Sequence, residues 1–267
     1  MPLAVCATPI GNLDDVTLRV LAELGAADVV LCEDTRHTRG LLQRHGIRAR
    51  LVSYHEHNEA KRSAELLPRL AAGERMALVS DAGMPGISDP GARLVAASLE
   101  AGVPVTVLPG PSAVDTALAA SGFASDRYQF LGFLPRRKTA LAAVWSELRA
   151  WPFAAVAFES PQRLPGTLRS LADADPERLV AVCRELTKVH EEIVRGTATE
   201  AAARFSEPPR GEITLVIGPG EPALPDVDDA AAAVAELVAA GVTRRRAAEI
   251  VARLTGASRN ELYRRTL

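Results

Sequence analysis

The stretch Ser80–Gly91, SDAGMPGISDPG, follows a short apolar run, Met76–Val79, and holds three glycines, two prolines and two aspartates in twelve residues. A strand-to-helix connection needs only about 2–6 residues. A loop of this length and composition is built to a shape, because glycine lets backbone approach a ligand and proline holds the loop in place beforehand. The run before it reads as a buried strand. Pro90–Ala101 after it reads as a helix, with Asp89 as its N-cap and Pro90 at the first helical position. Strand, specialised loop and helix in that order make one unit of an α/β sheet.

The same unit recurs in both directions along the chain. Leu3–Ala7, Val29–Cys32, Arg50–Ser53, Met76–Val79 and Pro104–Leu108 read as buried strands. Helices are predicted over Asp15–Leu24, Thr35–His45, Ala60–Ala71, Pro90–Ala101 and Ser112–Ala120. Their alternation implies a largely parallel sheet covered on both faces, and it assigns residues 1–120 to one α/β domain. A second α/β domain is expected over residues 121–219, with strands Arg127–Phe133, Phe153–Phe158, Leu179–Cys183 and Glu212–Ile217. Its helices are predicted at Thr139–Leu148, Gln162–Leu171 and Thr199–Phe205. Residues 220–229 carry the proline, glycine and acid content of a linker. Residues 230–267 read as a small helical module, broken at Gly241 and at Thr255–Ser258, similar to a helix-turn-helix.

Composition excludes several classes. The chain of 267 residues is close to neutral, at −2, so its overall charge points to no polyanion. No run approaches eighteen apolar residues, so no transmembrane helix and no membrane partner are expected. The start, MPLAVCATPIGN, lacks the basic and apolar regions of a signal peptide. Cys6, Cys32 and Cys183 are scattered, odd in number and set in apolar runs, as reduced core cysteines of a cytoplasmic protein would be. Neither CxxC nor HExxH occurs, so no metal site is expected.

In an open α/β sheet, ligands bind beyond the carboxyl ends of the strands. Three loops at such ends are rich in glycine and proline: Thr8–Asp15 (TPIGNLDD), Ser80–Gly91, and Leu108–Ala113 (LPGPSA). Thr8, Asp81, Ser88, Asp89 and Ser112 add polar groups at the same mouths. Any one of these loops could be a capped connection; three in one sheet point to a pocket. Both GxGxxG and GxxxxGK[ST] are missing, so a dinucleotide fingerprint and a P-loop are not indicated. Proline-interrupted loops favour a backbone cradle for an uncharged or zwitterionic adenosyl ligand over a phosphate nest.

ATPIGNLDDVTLRVLAEL, ADVVLCEDTRHTRGLL, SYHEHNE, VSDAGMPGISDPG, VLPGPSA, GFLPRR, FESPQRL and CRELTKVHEEIVRGT occur in that order. Together they resemble the ribosomal small-subunit methyltransferase I family, one of the tetrapyrrole-methylase-like S-adenosylmethionine enzymes. The resemblance implies two α/β domains of tetrapyrrole-methylase type, with the methyl donor S-adenosylmethionine in the cleft between them, and a homodimer. It implies 2′-O-methylation of a cytidine ribose in the decoding region of 16S rRNA, conventionally cytidine 1402, within the 30S subunit. Carried over by motif, the donor site comprises Pro9, Ile10, Asp81, Ala82 and Gly83, with Met84 and Ile87 as apolar neighbours and Ser112 and Ala113 beside them. From the second domain, Phe158, Glu159, Thr214 and Leu215 would close the adenosine side.

Methyl transfer to a ribose hydroxyl needs an aligned oxygen, and it gains from a base that takes the hydroxyl proton. Candidates for catalysis are Glu33 in CEDTRHT, His55 in SYHEHNE and Lys188 in CRELTKVHEE. Lys188 qualifies only if its surroundings depress its pKa. Tyr54 and His55 are also placed to stack on a splayed base. Arg36 stands unfavourably at a helix start, which suggests a phosphate contact. Arg136, Arg137, Lys138 and Arg184 are further RNA-binding candidates. So are Arg244, Arg245 and Arg246, because the tail from Gly241 onwards carries seven arginines against Glu249 and Glu261. Two other readings stay open: a related methylase acting on a tetrapyrrole or a protein side chain, and a non-catalytic RNA-binding ribosome-assembly factor.

Overall fold

A computed structural model describes residues 2–123, 126–220 and 227–267. Its first sheet is built from β1 (Leu3–Cys6), β2 (Val29–Cys32), β3 (Leu51–Ser53), β4 (Met76–Leu78) and β5 (Val105–Leu108). All five are parallel, in the order β3-β2-β4-β1-β5, with Leu3 opposite both Met76 and Val105. Successive side chains point to opposite faces, so Leu3, Val5, Leu31 and Leu78 enter one core while Ala4, Cys6, Val30 and Ala77 enter the other. A helix layer on each face makes both sides of the inner strands β1, β2 and β4 apolar.

The helices are α1 (Leu18–Ala26), α2 (Thr35–Arg44), α3 (Glu59–Ala71), α4 (Ala92–Glu100) and α5 (Ala113–Ser121). Two of them start later than expected. Thr17 caps α1 by accepting from the Val20 N–H, because Asn12 first folds its own turn onto the Asp14 and Asp15 amides. Asp89-Pro90 does not open α4. Gly91 takes that position at φ 137°, which turns the chain by a route closed to other residues, and it donates its N–H to Glu59 Oε1 at 3.0 Å.

The second sheet contains β6 (Tyr128–Phe133), β7 (Ala154–Glu159), β8 (Leu179–Arg184), β9 (Glu192–Thr197) and β10 (Ile213–Ile217), ordered β6-β7-β10-β8-β9. Only β6 and β7 run parallel; the other pairs are antiparallel. One face carries α6 (Lys138–Arg149), α7 (Leu164–Ala174) and α8 (Ala198–Arg204) over Ala155, Ala157, Val182 and Leu215. The opposite face, with Val156, Ala181, Cys183 and Val216, receives Val114, Ala117 and Leu118 of α5 together with Ile10. Thus α5, continuous with the first sheet in sequence, seals the second. That shared core brings the loops of the first sheet against the strands of the second.

Beyond β10, the Gly220 N–H is held by the Trp151 carbonyl at 2.7 Å. Residues 221–226 of the expected linker lie outside the described residues, and 227–229 are helical. The last three helices, α9 (Val227–Ala239), α10 (Arg244–Thr255) and α11 (Arg259–Arg265), close around Val234, Ala247, Val251 and Leu262. Among the described residues, no helix is long and apolar enough to cross a membrane. The three cysteines are free and buried.

Candidate functional site

Because β4, β1 and β5 are adjacent and parallel, their carboxyl ends open on one edge of the sheet, and the three glycine-proline loops meet there. The first two are zipped together. Thr8 donates its N–H to the Gly83 carbonyl at 2.8 Å and accepts the Gly83 N–H at 3.0 Å, while its hydroxyl donates to the Ser80 carbonyl. Gly83 at φ 79° makes this reverse pairing possible. The far end of the long loop is pinned by Glu59, which also accepts the hydroxyl of buried Tyr54. The motif SYHEHNE therefore helps to shape the neighbouring loop. Tyr54 is fully buried, its hydroxyl pushed up to about 12 mainly by burial, so it stacks on no RNA base.

These loops and the second sheet enclose a cavity of about 480 Å³. Its wall includes Ile10, Asp81, Ala82, Gly83, Met84, Ile87, Ser112 and Ala113 from the first sheet's loops, with Phe158, Glu159 and Thr214 opposite. Ser112 does double duty, since its hydroxyl also caps α5. Two of the expected residues lie elsewhere. Leu215 alternates away from Thr214 and is buried in the core beneath α6–α8. Pro9 faces a separate small cleft with Leu13, His37 and Leu41.

Glu159 reaches the wall, but its carboxylate is already engaged. One oxygen accepts the Ser160 N–H at 2.7 Å, and the other accepts the Thr167 hydroxyl at 2.6 Å beside Arg163 at 3.4 Å. Its side chain has 0% exposure. The residue supports the wall from behind rather than presenting charge to a ligand. Arg163, which sequence reasoning passed over, also holds the Leu134 and Pro135 carbonyls and thereby orients the loop leading to Arg136, Arg137 and Lys138. Those three basic side chains are exposed, one turn beyond the cavity residue Phe133.

The cavity is acidic. Glu33 at the end of β2 joins Asp81 and Asp89 in its lining. Burial raises the Glu33 carboxyl, helped by Asp81 and opposed by nearby His55. Burial likewise lifts Asp89, and with the negative charges of Glu33 and Asp81 it is pushed up to about 6. Asp81 is partly engaged, accepting the Asp34 N–H at 3.1 Å. Asp89 is therefore the lining carboxyl poised to exchange a proton near neutral pH. The sequence offered it as a helix cap, and only the delayed start of α4 turns it to the cavity. Cys183 also lines the wall, but burial lifts its thiol to about 11, so it is no nucleophile.

The other catalytic candidates do not join this group. His55 is outside the lining, its Nδ1 buried without a partner and its ring edge-on to His57. Lys188 is clasped by Glu185 at 2.8 Å and Glu212 at 2.9 Å. Burial alone would lower its pKa, yet the two carboxylates hold it above the usual lysine value, so its surroundings do not supply the depression a base would need. Arg184 is similarly tied to Glu192 at 2.9 Å. Arg36 is 86% exposed and pairs with Asp34, the cap of its own helix, which offsets the unfavourable position.

The segment around Lys188 instead clasps the two sheets together. Thr187 Oγ1 accepts the Asn12 N–H at 3.0 Å, and Gly11 lies so close that a Cβ there would meet Lys188 Cγ at 2.5 Å and the Leu186 carbonyl at 2.8 Å. Glu185 and Thr187 both adopt positive φ to make this contact. Gly11→Ala is expected to cost about 1–3 kcal/mol through overpacking. Thermal unfolding should show a midpoint several degrees lower; an unchanged midpoint would mean the clasp yields freely.

Residues 2–202 match the family Tetrapyrrole (Corrin/Porphyrin) Methylases, and residues 225–267 match the RsmI C-terminal HTH domain. The chain is 44% identical to the ribosomal RNA small subunit methyltransferase I of Mesorhizobium japonicum, over 99% of this chain and 91% of that one. It is 43% identical to the protein of that name from Synechocystis sp., over 99% and 97%. Among solved structures, uroporphyrin-III C-methyl transferase from Thermus thermophilus, complexed with S-adenyl homocysteine, superposes with a TM-score of 0.57 at 18% identity, over 81% of this chain and 96% of that one.

Proposed function

Since the chain belongs to the tetrapyrrole methylase family and, within it, to the ribosomal RNA small subunit methyltransferase I family, we propose that it transfers a methyl group from S-adenosylmethionine to 16S rRNA. The acceptor is the 2′-oxygen of cytidine 1402 in the decoding region, presented within the 30S subunit to a cytoplasmic homodimer. The observation that carries this reading is the cavity at the meeting of three preformed loops, apolar in part and lined by five carboxylates, of which Glu33, Asp81 and Asp89 lie on the first sheet's side.

Its composition fits the donor. Ile10, Met84, Ile87 and Phe158 suit an adenine ring and a thioether chain, and Asp81 and Glu33 suit a cationic ligand with ribose hydroxyls. S-adenosylmethionine supplies, when bound, an electrophilic methyl on a positively charged sulfur. The backbone of Ala82 and Gly83, fixed by Thr8 and Ser80, orients that ligand without loop ordering on binding. Asp89 accepts the proton of the incoming ribose hydroxyl. Arg136, Arg137 and Lys138 hold the flanking phosphates at the rim. Leu18 and Val189, nearly fully exposed on the segments that meet at the Asn12–Thr187 contact, supply apolar surface for the second copy.

The test is methyl transfer from labelled donor to 30S subunits of a strain lacking this protein, followed by mapping of the modified nucleotide. Label on the 2′-oxygen of cytidine 1402 is the expected result. Label on a base, on a ribosomal protein or nowhere overturns the assignment. Titration calorimetry should show donor binding to the protein alone, and sedimentation should show a dimer.

A further inference from the structure

We propose that a cleft between α10 and α11 is a subsite for single-stranded RNA, with Arg245, Arg259 and Arg264 on backbone phosphates and Tyr263 stacked on an unpaired base. This inference rests on the rRNA reading above. The cleft encloses about 490 Å³ and is lined by these four residues and Asn260.

Of the module's seven arginines, Arg253 is exposed but outside the cleft, and the other six differ in their partners. Arg246 pairs with Glu249, and Arg265 pairs with Asp228 and Glu261. Arg244 has its Nε buried without a partner. Arg245, Arg259 and Arg264 are exposed and, among the described residues, none of them forms an ion pair with a carboxylate. The negative charge that Arg245 and Arg259 both feel is Glu249, and Arg246 already holds it. Of the expected run Arg244–Arg246, only Arg245 enters the cleft. The other two cleft arginines come from a helix that its spacing in sequence does not join to it.

Three uncompensated guanidinium groups in one concavity of a chain with net charge −2 select a polyanion. The remaining lining says which. Arg264 donates through Nε to the Asn260 carbonyl at 3.3 Å, which holds the guanidinium along the helix and leaves its other donors free. Tyr263 is 41% exposed beside it and offers an aromatic face, while Asn260 offers an amide able to read a base edge. An acidic peptide of Asp and Glu has no flat ring to set against the Tyr263 face. A splayed nucleotide uses all of these groups, since single strands are bound by phosphate contacts and by stacking on aromatic rings.

The test uses the full chain and a short, fluorescently labelled, cytidine-containing single-stranded RNA, with anisotropy read across a salt series. The triple variant Arg245→Gln, Arg259→Gln, Arg264→Gln should flatten the slope of log affinity against log salt by about 2, from three phosphate contacts at roughly 0.7 each. Tyr263→Leu should weaken binding roughly 5- to 150-fold, whereas Tyr263→Phe should retain it. Arg246→Gln, which alters a paired arginine, should change little. Wild-type affinity and slope in the triple variant overturn the proposal, as does equal binding of an RNA duplex or competition by polyglutamate as strong as that by RNA. Circular dichroism verifies that the helices persist. Donor calorimetry separates the two readings: a protein that binds RNA through this cleft but binds no donor refutes the methyltransferase assignment alone. A protein that binds donor while its RNA slope is untouched by the triple variant refutes the cleft alone.

Discussion

Asp89→Asn is expected to lower the rate of methyl transfer by about 10²–10⁴-fold while donor affinity stays within a few-fold. Asparagine keeps the shape of the side chain and removes its ability to take a proton. The pH profile supplies the sharper reading. Asp89 is held at about 6, first by burial and then by the charges of Glu33 and Asp81, with a hydrogen bond from Ser80 working the other way. A base must be ionised to act, so the wild-type rate should rise with pH up to about 6 and level off above it. Glu33→Gln removes a like charge and should move that limb to lower pH. A carboxyl whose folded pKa is raised makes the native state less stable as pH rises from the unfolded value through about 6. Asp89→Asn should therefore melt no lower than wild type at neutral pH, the pattern of a group kept for chemistry at a cost in stability. An unchanged turnover number with an intact acidic limb would remove Asp89 from the reaction.

Glu159→Ala is expected to destabilise the protein by about 3 kcal/mol, because it leaves the Ser160 N–H and the buried Thr167 hydroxyl without an acceptor and Arg163 without its counter-charge. Glu159→Gln, which keeps one acceptor oxygen, should lose distinctly less. Chemical denaturation gives the comparison, and donor calorimetry on the Gln variant completes it. A large drop in donor affinity with unaltered stability would restore Glu159 as a direct ligand. The expected outcome is the reverse, since both carboxylate oxygens are turned to the protein.

The expectations from sequence succeeded where the physics is local. The inner strands β1, β2 and β4 are visible as short apolar runs because a parallel strand buried on both faces has no polar side to confuse the pattern. β9 escaped notice for the opposite reason. Glu192–Thr197 lies at the edge of its sheet and mixes charged and polar residues with Ile193 and Val194, so it reads as part of a charged motif rather than as a strand. The surroundings of Tyr54 and Lys188 are likewise not marked in the sequence. A tyrosine in a polar heptad and a lysine among glutamates carry no mark of a buried hydroxyl or a double ion pair. Pro9 and Leu215 were drawn into the site by their neighbours Ile10 and Thr214, and the alternation of an extended chain sends them the other way.

The composition of Ser80–Gly91 is enough to require a shaped loop, and its place after an apolar run is enough to put that loop at the mouth of a sheet. Glycine and proline act through their own backbone angles, so they carry that information wherever they stand. Which carboxyl faces the cavity is another kind of property. It depends on Gly91 delaying α4, on Glu59 of a distant helix holding Gly91, and on Glu33 and Asp81 arriving from separate strands to raise Asp89. Charge and burial act through space, so proton affinity at this site is set by neighbours that only the packed sheet brings together.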